Sequence, residues 1–162
     1  MFPIALDLTR IPILLTGSGE LLEKRRRQLE EYGATKFVEN IEQAAVVMVA
    51  GLPREQAAAI VEQAHALGKL VNVEDINDLC DFYFTANIKR GDLIIAVSTS
   101  GASPTLARKI RDRIAGEFGE EWAARLSEIL LLRKGWKAEG KGMKEVVEHS
   151  ERHIAEKKWL AS

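Results

Sequence analysis

Residues Val71 to Arg108 read VNVEDINDLCDFYFTANIKRGDLIIAVSTSGASPTLAR, and the order of patterns in this stretch decides the fold. A short apolar strand, Leu70 to Val73, ends in the acidic pair Glu74-Asp75. An aromatic segment, Phe82-Tyr83-Phe84, and a basic turn, Lys89-Arg90-Gly91, lead to a second strand, Leu93 to Val97. That strand runs into a hydroxyl-rich loop, Ser98-Thr99-Ser100-Gly101-Ala102-Ser103, and Pro104 opens a helix. Ser103 is a good N-cap and Pro104 suits the first helical turn. Free backbone N–H groups and the positive end of the helix dipole would therefore face whatever lies above the loop. The same residues equally serve an ordinary strand–turn–helix connection, since such caps occur on many helices.

Upstream, Ile11 to Thr16 is an apolar run of the kind buried on both faces of a parallel sheet. Gly17-Ser18-Gly19 follows, then a helix from about Glu20 to Tyr32 closed by Gly33, and a second strand over Lys36 to Glu39. This order is the dinucleotide-binding arrangement: glycines let the backbone approach a pyrophosphate, and an acid about 20 residues on bonds the ribose hydroxyls. It marks Gly17, Ser18, Gly19, Glu20 and Glu39 as cofactor-binding candidates. Leu22 occupies the third small position, so the fingerprint is incomplete, and a tight turn with a solvated Glu39 is the competing reading. Lys24 to Arg27 reads as a solvated charged face, and Phe2 to Leu6 as an edge strand.

Val46 to Ala50 is the next buried strand, and a helix from about Arg54 to Leu67, with Ile60, Val61, Ala64 and Leu67 on one face, returns the chain to Val71–Val73. Buried runs alternating with helices predict an α/β fold, a Rossmann-like parallel sheet with helices on both faces over residues 1–80. A strand-plus-helix extension follows over 81–115. The helix Thr105 to Phe118 closes that extension, and the remaining 116–162 is helical: Glu120 to Lys134 with a packing stripe of Trp122, Leu126, Ile129 and Leu130, and a charged helix from Met143 to Leu160. Gly135, Gly140 and Gly142 are expected to loosen the chain between the last two.

Composition bounds the rest. The 162 residues, 46% hydrophobic and 29% charged, suffice for one core plus an appendage. A net charge of -1 gives no reason to expect nucleic acid or an anionic membrane as partner. No stretch approaches the roughly 20 apolar residues of a membrane span, no basic-then-apolar leader is present, and Cys80 stands alone, so the expected setting is the cytoplasm. His149 and His153 stand four apart but lack a third ligand, which favours a solvated helix face over a metal site. Cys80, in an apolar setting, reads as a structural thiol.

Taken together, VNVEDxxxLCDFYF and KRGDLIIAVSTSGASPTLAR closely resemble the precorrin-2 dehydrogenase/sirohydrochlorin ferrochelatase family, the N-terminal module of siroheme synthases. The resemblance covers roughly residues 1–115. It implies an NAD-dependent enzyme of siroheme biosynthesis that oxidises precorrin-2 to sirohydrochlorin and, in bifunctional members, inserts Fe²⁺. By position Asp75 matches the family's catalytic aspartate, which would also meet Fe²⁺ transiently, and Asn72 matches the motif's asparagine. Ser98 to Pro104 matches the family loop, with Ser100 replacing the first of its two glycines. The implied tetrapyrrole polycarboxylate would engage Asn72, Lys89, Arg90, Ser98, Thr99, Ser100, Gly101 and Ser103. The resemblance further implies a homodimer, for which Phe82 to Val97 has the aromatic and β-rich composition. One departure bears on the cofactor: Gly51-Leu52-Pro53-Arg54 replaces the customary Thr-Asp-Asp…Asn. The alternative is a tetrapyrrole-binding or chelatase-only module that has lost NAD.

Overall fold

The computed structural model describes residues 2–160; Met1, at the start of the expected first region, and Ala161 and Ser162, at the end of the last, lie outside the described residues. The chain divides into two compact units, Met1–Phe84 and Thr85–Ser162.

In the first unit β1 (Ile13–Gly17), β2 (Val46–Ala50) and β3 (Leu70–Val73) form a parallel sheet in the order β1-β2-β3, joined by α1 (Gly19–Glu31) and α2 (Arg54–Ala66). Ile13 stands opposite Val46, and Val47 opposite Val71, so the expected parallel sheet is present. Successive side chains of a strand point to opposite faces. Val47 and Val49 accordingly join Ala57, Val61 and Ala64 of α2, while Val46 and Met48 join Leu29 of α1. One helix on each face leaves every residue of β2 buried, which is why VVMVA is apolar throughout. Each large apolar side chain fully buried this way contributes about 1.5–3 kcal/mol against exposure.

Two expected strands do not form. Phe2 to Leu6 pairs with nothing and leaves Phe2 84% exposed. Lys36 to Glu39 contributes only a single bridge, Phe37 to Ile13, with Ile13 N–H donating to Lys36 O at 2.8 Å and Val38 N–H to Ile13 O at 3.0 Å. The chain turns at Asn40 into a short 3-10 turn, Ile41–Gln43, before a longer ladder can build.

The second unit pairs β4 (Ala86–Arg90) with β5 (Leu93–Val97) as an antiparallel hairpin and adds α3 (Pro104–Glu117), α4 (Glu121–Ala138) and α5 (Met143–Glu156). Lys89 and Arg90 belong to β4, and the turn falls on Gly91-Asp92. α4 runs straight through Gly135 instead of stopping at Lys134; the helix absorbs a cost of about 1 kcal/mol for an interior glycine, and Trp136 packs against His149 with ring centroids 5.2 Å apart. α5 ends at Glu156, where Trp159 folds back onto His153. Val146 is fully buried, and Ser150 donates to Val146 O at 2.6 Å while accepting from Arg133 at 3.1 Å.

Candidate active site

Parallel strands end at one edge of their sheet, so the turns after β1, β2 and β3 bring Gly17-Ser18-Gly19, Gly51 and Glu74-Asp75 to the same edge. This is the edge where open α/β sheets take ligands. Gly17 and Gly51 are there for the protein itself. A Cβ on Gly17 would sit 1.7 Å from Ala50 O, and one on Gly51 2.2 Å from Ser18 O. Gly19 differs: at φ 70° it opens α1 with nothing within 4 Å of a Cβ. The Ser18 hydroxyl donates to Gly51 O at 2.9 Å rather than capping α1, so the first-turn N–H groups are uncapped by side chains. An open cradle beside uncapped N–H groups and a positive helix end fits a dinucleotide pyrophosphate. Glu20 lies in the same first turn, exposed. Glu39, also exposed, lines a cleft of about 340 Å³ with Thr16, Asn40, Ile60 and Gln63.

Asp75 is exposed on the turn after β3, in left-handed backbone at φ 64°, and its carboxylate has no hydrogen bond or ion pair among the described residues. The residues before and after it are tied down. Glu74 N–H donates to Val49 O at 2.9 Å, and Ile76 N–H reaches Val73 O at 3.4 Å. Cys80 Sγ accepts from Val73 N–H at 3.2 Å and donates to Val73 O at 3.1 Å, and burial pushes its pKa upward, in keeping with a structural thiol. Asn72 is buried, and its side-chain amide donates to Phe82 O at 2.8 Å, which turns it into the protein rather than outward. Asp81 accepts from Val71 N–H at 2.8 Å and lies 2.9 Å from His65 Nε2.

The reading of Lys24 to Arg27 as a solvated face holds for two of the four and is corrected for Arg25. Lys24 and Arg27 are exposed, but the Arg25 side chain is only 11% exposed. Its Nη2 lies 3.0 Å from Glu74 Oε2, its Nε donates to the same oxygen at 3.3 Å, and its guanidinium covers the Phe84 ring at 3.9 Å. Arg26 lies over Phe37. The missed signal was spacing: Leu22, Arg25 and Leu29 fall at i, i+3 and i+7, on the stripe that faces the core.

In the second unit the loop after β5 is built as expected at its helix end. Ser103 Oγ accepts from Leu106 N–H at 3.1 Å, capping α3, and Thr99 Oγ1 accepts from Ser103 N–H and donates to Ser103 O, both at 3.1 Å. Ser98 Oγ accepts from Ser100 N–H at 3.1 Å. Ser100 (φ 53°) and Gly101 (φ 85°) carry the left-handed bend, so Ser100 adopts backbone that favours glycine at the position where it replaces one. Lys89 and Arg90 do not join this loop. Arg90 pairs with Leu93 at the hairpin turn, whereas the loop leaves Val97 opposite Ala86, about 14 Å away at the rise of an antiparallel strand. Arg90 instead donates to Phe118 O at 3.1 Å and pairs with Glu120 at 3.2 Å, tying down the end of α3.

Fold and edge thus define a Rossmann-like α/β protein with an appended hairpin-and-helix unit. Residues 34–86 match the family model "Putative NAD(P)-binding", and residues 90–117 match "Sirohaem biosynthesis protein central". The siroheme synthase of Methylococcus capsulatus is 34% identical over 139 residues, covering 69% of this chain and 29% of that protein. That of Stutzerimonas stutzeri is 32% identical over 167 residues, covering 86% and 35%. The chain spans about a third of the length of these relatives. Among solved structures it shares the fold of SirC, precorrin-2 dehydrogenase, with a TM-score of 0.74 at 18% identity, covering 99% of this chain and 93% of that one. The chain is thus similar to siroheme synthases over most of its own length, and both family models accord with that likeness. No helix among the described residues is long and apolar enough to cross a membrane.

Proposed function

We propose that the chain is an NAD-dependent precorrin-2 dehydrogenase, removing a hydride and a proton from precorrin-2 to give sirohydrochlorin. The observation that carries this reading is the shared sheet edge: the open cradle at Gly19 and the unpartnered Asp75 carboxylate follow strands of one sheet. Gly19 and the first turn of α1 would hold the pyrophosphate, with Ser18 and Glu20 flanking it, and Glu39 would bond the ribose hydroxyls and repel a 2′-phosphate, favouring NAD over NADP. NAD⁺, when bound, supplies the hydride acceptor.

Asp75 acts as the base. An exposed carboxylate without a competing partner is free to take the proton that leaves with ring oxidation, and the left-handed turn fixes where it is presented. The substrate is a polycarboxylate, and the second unit suits it by charge: 15 Lys and Arg against 11 Asp and Glu, where the first unit has 8 against 13. Gly101 N–H, which has no acceptor among the described residues, and the α3 N-terminus capped by Ser103 would receive substrate carboxylates, with Ser98, Thr99 and Ser100 shaping the loop around them. Asn72 holds the segment that follows Asp75, and Arg90 the far end of α3. In a ferrochelatase step Fe²⁺ would enter as substrate, with Asp75 meeting the ion transiently and accepting pyrrole protons.

A second copy of the chain is the proposed partner. Among the described residues only Ile88, Ala107 and Val146 are buried apolar side chains of the second unit, while Ile94, Leu106 and Ile110 are 50%, 51% and 39% exposed. Light scattering at micromolar concentration should return a dimer mass, and a monomer would sink this assignment. Calorimetric titration with NAD⁺ combined with a precorrin-2 oxidation assay tests the activity. Binding with turnover is expected; chelation without NAD⁺ binding would replace the dehydrogenase reading with that of a chelatase-only module.

A further inference from the structure

Resting on the assignment of Asp75 as base, we propose that Arg25 is a positioning residue: its ion pair with Glu74 fixes the Asp75 turn to α1, so the helix that holds the cofactor also sets the place of the acid. Three observations converge on it. The Asp75 backbone is left-handed, a turn conformation that aspartate tolerates and that fixes the direction in which its carboxylate is presented. The neighbour on one side, Glu74, is held by a side chain from a different element, with Arg25 giving two contacts to Glu74 Oε2, at 3.0 and 3.3 Å. The remaining guanidinium nitrogen is committed as well, Nη1 donating to Gln28 Oε1 at 2.6 Å, and the flat face lies over Phe84 at 3.9 Å.

Both side chains are largely covered, 11% and 15% exposed, so each charge depends more on its partner than on water. Removing one partner leaves the other buried and unpaired, and the cheapest relief is for Glu74 to swing outward. Asp75 is the next residue and would move with it. The contacts proposed for the cofactor lie elsewhere on α1, at Gly19 and the uncapped first turn, whereas the Arg25 guanidinium is committed to Glu74, Gln28 and Phe84. The pair should therefore govern turnover while leaving affinity alone. Lysine cannot substitute fully, because it has one point of contact and no planar face for Phe84.

The test compares Arg25→Met, Glu74→Gln, the double variant and Arg25→Lys with Asp75→Asn as reference. The measurements are kcat and KM for precorrin-2 at saturating NAD⁺, NAD⁺ affinity by calorimetry, and thermal melting to check folding. Arg25→Met and Glu74→Gln should each lower kcat about ten- to a hundredfold, the range a misplaced group produces, with KM and NAD⁺ affinity within about threefold of the parent. The double variant should be no slower than the worse single, since both break one contact, and Arg25→Lys should fall in between. A kcat within about twofold of the parent, losses that multiply in the double variant, or a loss confined to NAD⁺ affinity would each overturn the proposal. Should Arg25→Met not fold, Glu74→Gln and Arg25→Lys decide it by the same criteria. Normal turnover in Asp75→Asn instead sinks the assignment of the base, whereas a slow Asp75→Asn beside fast Arg25 variants sinks the positioning role alone.

Discussion

The two units solve the problem of folding in different ways. The first covers a parallel sheet on both faces and contains fifteen of the buried apolar residues; the second, of similar length, contains three and shows apolar side chains on its strands and helices. The first is acidic and the second basic. A unit with its own core can hold features such as the left-handed Asp75 turn and the close backbone approach of Gly17 to Ala50, because packing fixes the backbone around them. A unit with a thin core and a positive balance is better suited to meeting something else, whether a polyanion or a second copy.

Four measurements probe that contrast, beginning with the largest effect. Asp75→Asn keeps the size of the side chain and removes the base, so turnover should fall about 10²–10⁴-fold while NAD⁺ affinity and melting temperature hold. Steady-state oxidation of precorrin-2 reads this, and an unchanged rate would leave the first unit with the cofactor but not the chemistry. Gly19→Val next fills the cradle and should weaken NAD⁺ at least about tenfold by calorimetry, a clash with ligand that leaves tetrapyrrole binding intact.

The second unit should respond differently. Thr99→Ala with Ser103→Ala removes the two bonds of the Thr99 hydroxyl and the α3 cap, each worth about 0.5–1.5 kcal/mol. Precorrin-2 affinity should drop and kcat stay near the parent value, the reverse of the Asp75→Asn pattern. The smallest effect concerns Cys80. Burial raises its pKa above that of an ordinary thiol, so it should react with iodoacetamide more slowly than a free cysteine at neutral pH. For a thiol with raised folded pKa the associated stability is complete below the unfolded pKa and is lost as pH rises from there through the folded pKa. Melting temperature should therefore hold from pH 6 to about 8 and decline on the alkaline side.

The first unit was largely legible because its central strand, Val46–Ala50, is buried on both faces and is apolar throughout, and the flanking runs Ile11–Thr16 and Leu70–Val73 alternate with helical patterns beside it. Lys36 to Glu39 misled because a β-like composition does not say whether a ladder has room to extend, and the turn at Asn40 left room for one bridge. Arg25 was hidden by its company: in a run of four cations the one facing the core looks like the rest, and only its place between Leu22 and Leu29 gives it away. Lys89 and Arg90 are expected to engage the substrate together with the Ser98–Ser103 loop; hairpin register, which a one-dimensional reading does not contain, puts Arg90 at the end of the hairpin away from that loop.

The interlock of Gly17 with Ala50 and of Gly51 with Ser18 bears on how such a chain can vary. In each case the obstacle to a side chain is backbone, so no repacking of neighbours relieves it, and the two turns have been pressed together until neither residue can change. Gly19 is held by nothing of the kind. A randomised library sorted only for folded protein should return glycine at 17 and 51 but accept Asn or Asp at 19, which tolerate its left-handed backbone. The same library sorted for turnover should return glycine at all three. The difference between the two selections would separate residues kept by the fold from the one kept by its ligand.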